Sequence, residues 1–124
     1  MVRDLTLRGI QQGLRNKEFS SREVTQAYLD RIEALDPQLN SYTQSFREAA
    51  LAAADAADQR LASGDARPLE GVPIAHKDLL ATTEGRTTCA SKMLENYQSP
   101  FDATVVARLA EAGAVVIGKT NLDE

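Results

Sequence analysis

Gly113-Ala114-Val115-Val116-Ile117-Gly118-Lys119-Thr120 matches the phosphate-loop pattern G-x-x-x-x-G-K-[ST] letter for letter, and how it is read decides the fold. A phosphate-binding loop follows a strand and wraps flexible backbone around the anion before a helix begins. The order here is reversed. Val105, Val106 and Leu109 recur at helical spacing behind Asp102, a capping residue, and the first glycine of the motif ends that helix. The four variable residues are a continuous apolar run, the pattern of a strand buried on both faces. An extended, buried Ala-Val-Val-Ile cannot cradle phosphate, so the motif is read as a strand and the match as accidental.

Working back from this strand, Val72 to Ala75 is a second short apolar run, bounded by Gly71. A polar loop over 82–100 and the helix near 105 separate the two. Strand, crossover helix and strand make a parallel βαβ unit. Two strands do not complete such a sheet, so further strands are expected from elsewhere.

The first half is helical in pattern. Leu7, Ile10 and Leu14 share a face up to Asn16-Lys17, and a second helix from Ser20 carries Val24, Tyr28, Ile32 and Leu35. Ser20 with Glu23 forms a capping box, and Asp36-Pro37 is expected to stop the helix. A short extended piece runs from Leu39 to Gln44. Ser45 and Glu48 are read as another capping box, opening an alanine-rich helix that ends at Gly64, with Phe46, Ala50, Ala53, Ala57 and Leu61 on one face. These helices are packing surface or partner interface. The expected class is therefore α/β, with N-terminal helices over residues 1–66 packed on the first strands of a mixed, largely parallel sheet over 67–124. The two stretches are parts of one domain, and the last residues carry no closing helix or turn, so the domain is expected to be incomplete.

The 124 residues suffice for one core, and 43% hydrophobic with 26% charged residues is an ordinary folded composition. No apolar run approaches the roughly 18 residues of a membrane span, and the N-terminus lacks the basic-then-apolar order of a signal peptide, so a cytoplasmic protein is expected. A net charge of −4 argues against an independent grip on nucleic acid. Cys89 is the single cysteine, which excludes an internal disulfide and a CxxC metal site.

Lys77 is the catalytic candidate. It stands at the end of the Val72–Ala75 strand, and a lysine becomes a general base when desolvation lowers its pKa enough to leave the amine neutral. The ordinary reading of a strand-end lysine is a solvated charge. Asp78 faces the opposite side of the strand and is expected to anchor the following loop. A cysteine nucleophile at Cys89 with His76 as base is the competing arrangement, but no orienting Asn or Asp stands beside either residue, and a lone cysteine is ordinarily a small buried hydrophobe. His76 is expected to pack or hydrogen-bond behind the site, while Ser91 is a tempting nucleophile from its loop position.

Four ordered motifs, Gly71-Val72-Pro73-Ile74-Ala75-His76-Lys77-Asp78, Thr87-Thr88-Cys89-Ala90-Ser91-Lys92-Met93-Leu94, Pro100-Phe101-Asp102-Ala103-Thr104-Val105-Val106 and Gly118-Lys119-Thr120-Asn121-Leu122-Asp123-Glu124, closely resemble the amidase signature family. The resemblance implies that Lys77 deprotonates a bridging serine, which activates a nucleophilic serine, a variant of Ser-Lys catalysis. The resemblance places both serines in a Gly- and Ser-rich segment after the fourth motif, so Ser91 is implied to be a hydrogen-bonding scaffold residue and the 124 residues alone are expected to be inactive. The third-motif helix and the Thr87–Leu94 loop favour the tRNA-dependent branch. There the implied substrate is glutamine, the implied partners are the amidotransferase B and C subunits, and tRNA is contacted mainly through a partner. No cofactor is expected on this chain, since ATP and Mg belong to a partner subunit. A stand-alone amidase, or a non-catalytic assembly module that self-associates through an open sheet edge, are the other readings.

Overall fold

Helix α1 (Leu7–Arg15) starts at Thr6, whose side chain accepts from the Gly9 N–H, and ends at Asn16. The computed structural model describes residues 4–122. Helix α2 (Ser21–Leu39) opens on the expected capping box between Ser20 and Glu23. It does not stop at Asp36-Pro37 but continues to Leu39. A proline in the last turn forfeits one backbone bond. The stop comes from Asn40, left-handed at φ 53°, whose N–H donates to the Asp36 carbonyl. The Asp36 carboxylate then accepts from the Ser41 N–H at 2.7 Å and the Tyr42 N–H at 3.3 Å, turning the chain into a strand.

That strand, β1 (Tyr42–Ser45), corrects two expectations. The stretch taken as an extended connection supplies the third strand from within the chain, and Ser45 pairs with Gly118 in the sheet and caps no helix. Helix α3 (Arg47–Ser63) follows Phe46 with no side-chain cap and ends at Gly64, φ 82°, as read. Its buried face is Ala50, Ala54 and Ala57, with Ala53 exposed. Strand β2 (Pro73–Lys77), helix α4 (Thr104–Glu111) and strand β3 (Val115–Thr120) form the expected βαβ unit. Asp102 does not cap α4. Its carboxylate accepts from the Thr83 N–H at 2.7 Å and the Thr83 hydroxyl at 3.2 Å, so it ties loop to helix.

The sheet order is β1-β3-β2, with β3 central, parallel to β2 and antiparallel to β1. Residues 113–120 are thus a helix exit at Gly113 (φ 95°) followed by the central strand. Leu29, Ala50 and Ala54 pack on Val115 and Ile117, with Tyr28, Ile32, Leu51 and Ala75 around them. Ile10, Leu14, Val24 and Val72 form a second cluster under α1. The alanine face lets α3 approach the sheet closely, and Leu29, at 0% exposure, fills the space between. Leu7 of the expected α1 face is 54% exposed. Among the described residues no helix is long and apolar enough to cross a membrane.

Candidate active site at the carboxyl end of the parallel strands

Ligand sites in α/β sheets gather at the carboxyl ends of parallel strands, where loops diverge and backbone groups are left to bind. Lys77 is the last residue of β2, in register with Thr120 of β3. Its side chain is exposed in these 124 residues, where the role of a base calls for burial. The peptide after it is held firmly. The Asp78 N–H donates to the Thr120 carbonyl at 2.9 Å, the Leu80 N–H to the Lys77 carbonyl at 2.9 Å, and the Cys89 N–H to the Asp78 carbonyl at 3.1 Å.

Asp78 points away from solvent, at 0% exposure, and takes the anchoring role expected of it: its Oδ2 accepts from the Thr88 hydroxyl. Its Oδ1 has no hydrogen-bond donor among the described residues and faces the ammonium of Lys119 at 3.4 Å, an ion pair with both side chains wholly buried.

Lys119 is the buried lysine of this region, and the sequence reading passed over it. Val115 and Ile117 pack on α2 and α3, and strict alternation would put Lys119 on that same face. The β2–β3 register shifts between Ile74 and Ala75: Ile74 pairs with Val116 but Ala75 pairs with Gly118, passing over Ile117. A bulge of this kind re-aims the side chains beyond it. Lys119 thereby comes into register with His76 and reaches the loop over 80–88. Its Nζ donates to the Leu80 carbonyl (3.0 Å), the Thr82 hydroxyl (2.9 Å), the Arg86 carbonyl (3.1 Å) and the Thr87 hydroxyl (3.2 Å). Burial pulls its pKa below the ordinary lysine value, while Asp78 and, more weakly, Cys89 oppose that shift. The signal in the sequence was a lysine directly after the buried run Val115–Gly118, where a charge survives only if it is met by acceptors.

The competing residues are separated by burial. His76 is 3% exposed and lines a 120 Å³ cavity with Phe46, Thr82, Asp102 and Val106; its Nε2 has no hydrogen-bond partner among the described residues. Burial, and then the Lys119 charge, lower its pKa, with Asp102 pulling the other way. Cys89 is exposed and sits at φ 52°, so it is not the buried hydrophobe expected of a lone cysteine. Ser91 accepts from the Met93 N–H at 3.2 Å and caps the 3₁₀ turn Lys92–Leu94, a scaffold contact as expected.

With this geometry in view, comparison with known proteins is decisive. Residues 23–124 match the family described as Amidase. The chain belongs to the amidase family. Over 123 residues it is 57% identical to the glutamyl-tRNA(Gln) amidotransferase A subunit of Pseudomonas putida (strain W619), covering 99% of this chain and 26% of that protein. It is 54% identical over 123 residues to the protein of the same name from Alkalilimnicola ehrlichii, covering 99% of this chain and 25% of that one. The native peptide amidase from Stenotrophomonas maltophilia superposes with a TM-score of 0.90 at 36% identity, over 98% of this chain and 25% of that chain. The chain thus spans about a quarter of the length of the curated relatives it matches. The expected fold class is found: helices packed on a mixed, partly parallel sheet shared with amidase signature enzymes. Asp123 and Glu124 of the fourth motif lie outside the described residues.

Proposed function

We propose that this chain is the N-terminal part of a glutamine-hydrolysing amidase whose ammonia is used to amidate Glu-tRNA(Gln) or Asp-tRNA(Asn), with Lys77 as the base of its serine relay. The observation that carries the reading is the 57% identity, across 99% of the chain, to a glutamyl-tRNA(Gln) amidotransferase A subunit. The geometry is compatible with it. Lys77 stands at the carboxyl edge of a parallel strand pair with its backbone fixed on both sides, the place from which a side chain reaches a substrate lodged above the sheet.

The chemistry sets a condition. A lysine takes a proton only from its neutral form, which desolvation favours, so on this reading further chain covers this edge of the sheet in the whole protein. The serine hydroxyls and the oxyanion-binding N–H groups of the relay belong, on this reading, to sequence that follows residue 124 in the whole protein. The 124 residues alone then hydrolyse no amide. ATP and Mg are handled by a partner, the B and C subunits complete the cytoplasmic assembly, and tRNA is met mainly through a partner. A stand-alone amidase is the second reading, favoured by the superposition on a peptide amidase at 36% identity.

The test is glutaminase activity of the gene product carried to the full length of its relatives, beside Lys77→Ala and the 124-residue form. Activity in the long form alone, abolished by Lys77→Ala, is the expected result. Activity that survives Lys77→Ala overturns the assignment of the base. Turnover of small peptide amides in preference to glutamine, unaffected by partner subunits, would select the stand-alone amidase.

A further inference from the structure

We propose that Lys119 is a positioning residue for Lys77: its buried ammonium holds the loop 78–88 in a single conformation and, through Asp78, fixes the peptide that carries Lys77. The inference rests on Lys77 being the base, as proposed above, and adds a residue that acts through another.

The argument begins with donor and acceptor counts. An ammonium has three N–H donors, and here it meets four hydrogen-bond acceptors and a carboxylate oxygen at 3.4 Å. The acceptors span the loop from Leu80 to Arg86 and Thr87, so one charge binds both limbs of the loop to the central strand. Two of them are backbone carbonyls, which a loop folded otherwise would present to water. The hydroxyls are themselves engaged: Thr82 donates to the Glu84 carbonyl at 2.7 Å, and Thr87 accepts from the Thr82 N–H at 3.3 Å. In this conformation the ammonium and both hydroxyls are hydrogen-bonded and Asp78 Oδ1 faces the Lys119 charge, and a buried polar cluster engaged in this way favours one structure over its alternatives. Asp78 is the link to the site. Its carboxylate is held by Lys119 and Thr88, its N–H by Thr120 and its carbonyl by Cys89, so the residue next to Lys77 is fixed at four atoms. Lys119 lies in register with His76 and Lys77 with Thr120, one step apart on paired strands, while the side chains of Lys77 and Asp78 differ in exposure, one outside and one at 0%. The device therefore acts on the backbone that carries Lys77 and sets the direction from which its side chain departs.

Two measurements decide the matter. In the 124-residue chain, Lys119→Met is expected to raise amide hydrogen exchange across 78–89 by about tenfold or more while α2 and α3 keep their protection, because the loss is a local opening. In the gene product at the length of its relatives, Lys119→Met is expected to lower kcat for glutamine by about 100-fold, the scale of a 1 Å misplacement, with KM nearly unchanged. Thr87→Val, which deletes one acceptor and keeps the charge, is the milder variant should Lys119→Met fail to fold. It should show the same pattern at reduced size. A kcat unchanged per folded molecule, with only a lowered Tm, would make Lys119 a purely structural residue and overturn the proposal. So would unchanged exchange across 78–89. Glutaminase activity surviving Lys77→Ala would refute the base assignment instead, and the exchange result would still decide whether Lys119 orders the loop.

Discussion

Replacing Lys119 with Met keeps a side chain of similar length and removes the charge, so the stability lost measures what the ammonium contributes. Met cannot donate, and it leaves Asp78, at 0% exposure, with an uncompensated carboxylate beside two carbonyls that lose a donor. Removing one partner of a buried ion pair costs about 3–5 kcal/mol. A domain of this size holds about 5–15 kcal/mol in all, so the variant would lose from about a fifth to all of its stability. At about 3–5 °C per kcal/mol for this chain length, Tm falls by roughly 10–25 °C. Urea unfolding of the wild type, Lys119→Met, Asp78→Asn and the double variant closes a cycle. The double variant should be less damaged than the two singles added together, by about 1–3 kcal/mol, since each single strands the other's partner. A loss under about 1 kcal/mol in Lys119→Met, or additive singles, would show that the pair is loosely hydrated and that the buried network does not exist as described.

Three further outcomes are expected. His76 has a folded pKa below the ordinary 6.5, chiefly through burial, so below that pH the unfolded chain binds more protons and stability falls as pH falls; His76→Gln should flatten Tm against pH between about 7 and 5, and equal slopes would count against a buried neutral imidazole. Glu70 is the reverse case: burial pushes its pKa up, but hydrogen bonds from Arg67 and Arg60 outweigh this and hold it below 4.5. Its contribution is thus present above the unfolded pKa and lost as pH falls through the folded one, and Glu70→Gln should cost about 1–3 kcal/mol at pH 7 and lose its penalty in acid, as read by urea midpoints. Gly118→Ala would drive a Cβ into the Gln44 carbonyl oxygen and to 3.0 Å from Tyr42 Cδ1, prying β1 from β3; a loss of about 1–3 kcal/mol is expected, and a neutral effect in thermal melts would refute the close strand approach.

Much of the architecture was legible in the order of residues because its causes are local. The Ser20–Glu23 capping box, the left-handed Gly64 and the apolar run Val115–Ile117 each act within a few residues, and each stands where the pattern puts it. Two errors lie where a distant element claimed a residue: Ser45 went to the sheet and Asp102 to Thr83, so two local capping signals were overridden by tertiary structure. The third, at Asp36-Pro37, is local, since Asn40 ends the helix and the Asp36 carboxylate holds the turn behind it. The candidate base was named by its motif, since Lys77 lies at a strand end that periodicity locates. Lys119 was not, for a physical reason. Alternation along β3 points it at the alanine face of α3, and only the pairing of β3 with β2, which passes over Ile117, turns it into the oxygen-lined loop 80–88. Sequence alone determined the helices, two of the three strands and the place of Lys77 at a strand end. Only the tertiary structure decided which of two lysines is buried, because burial is settled by strand register and by acceptors brought from more than 30 residues away.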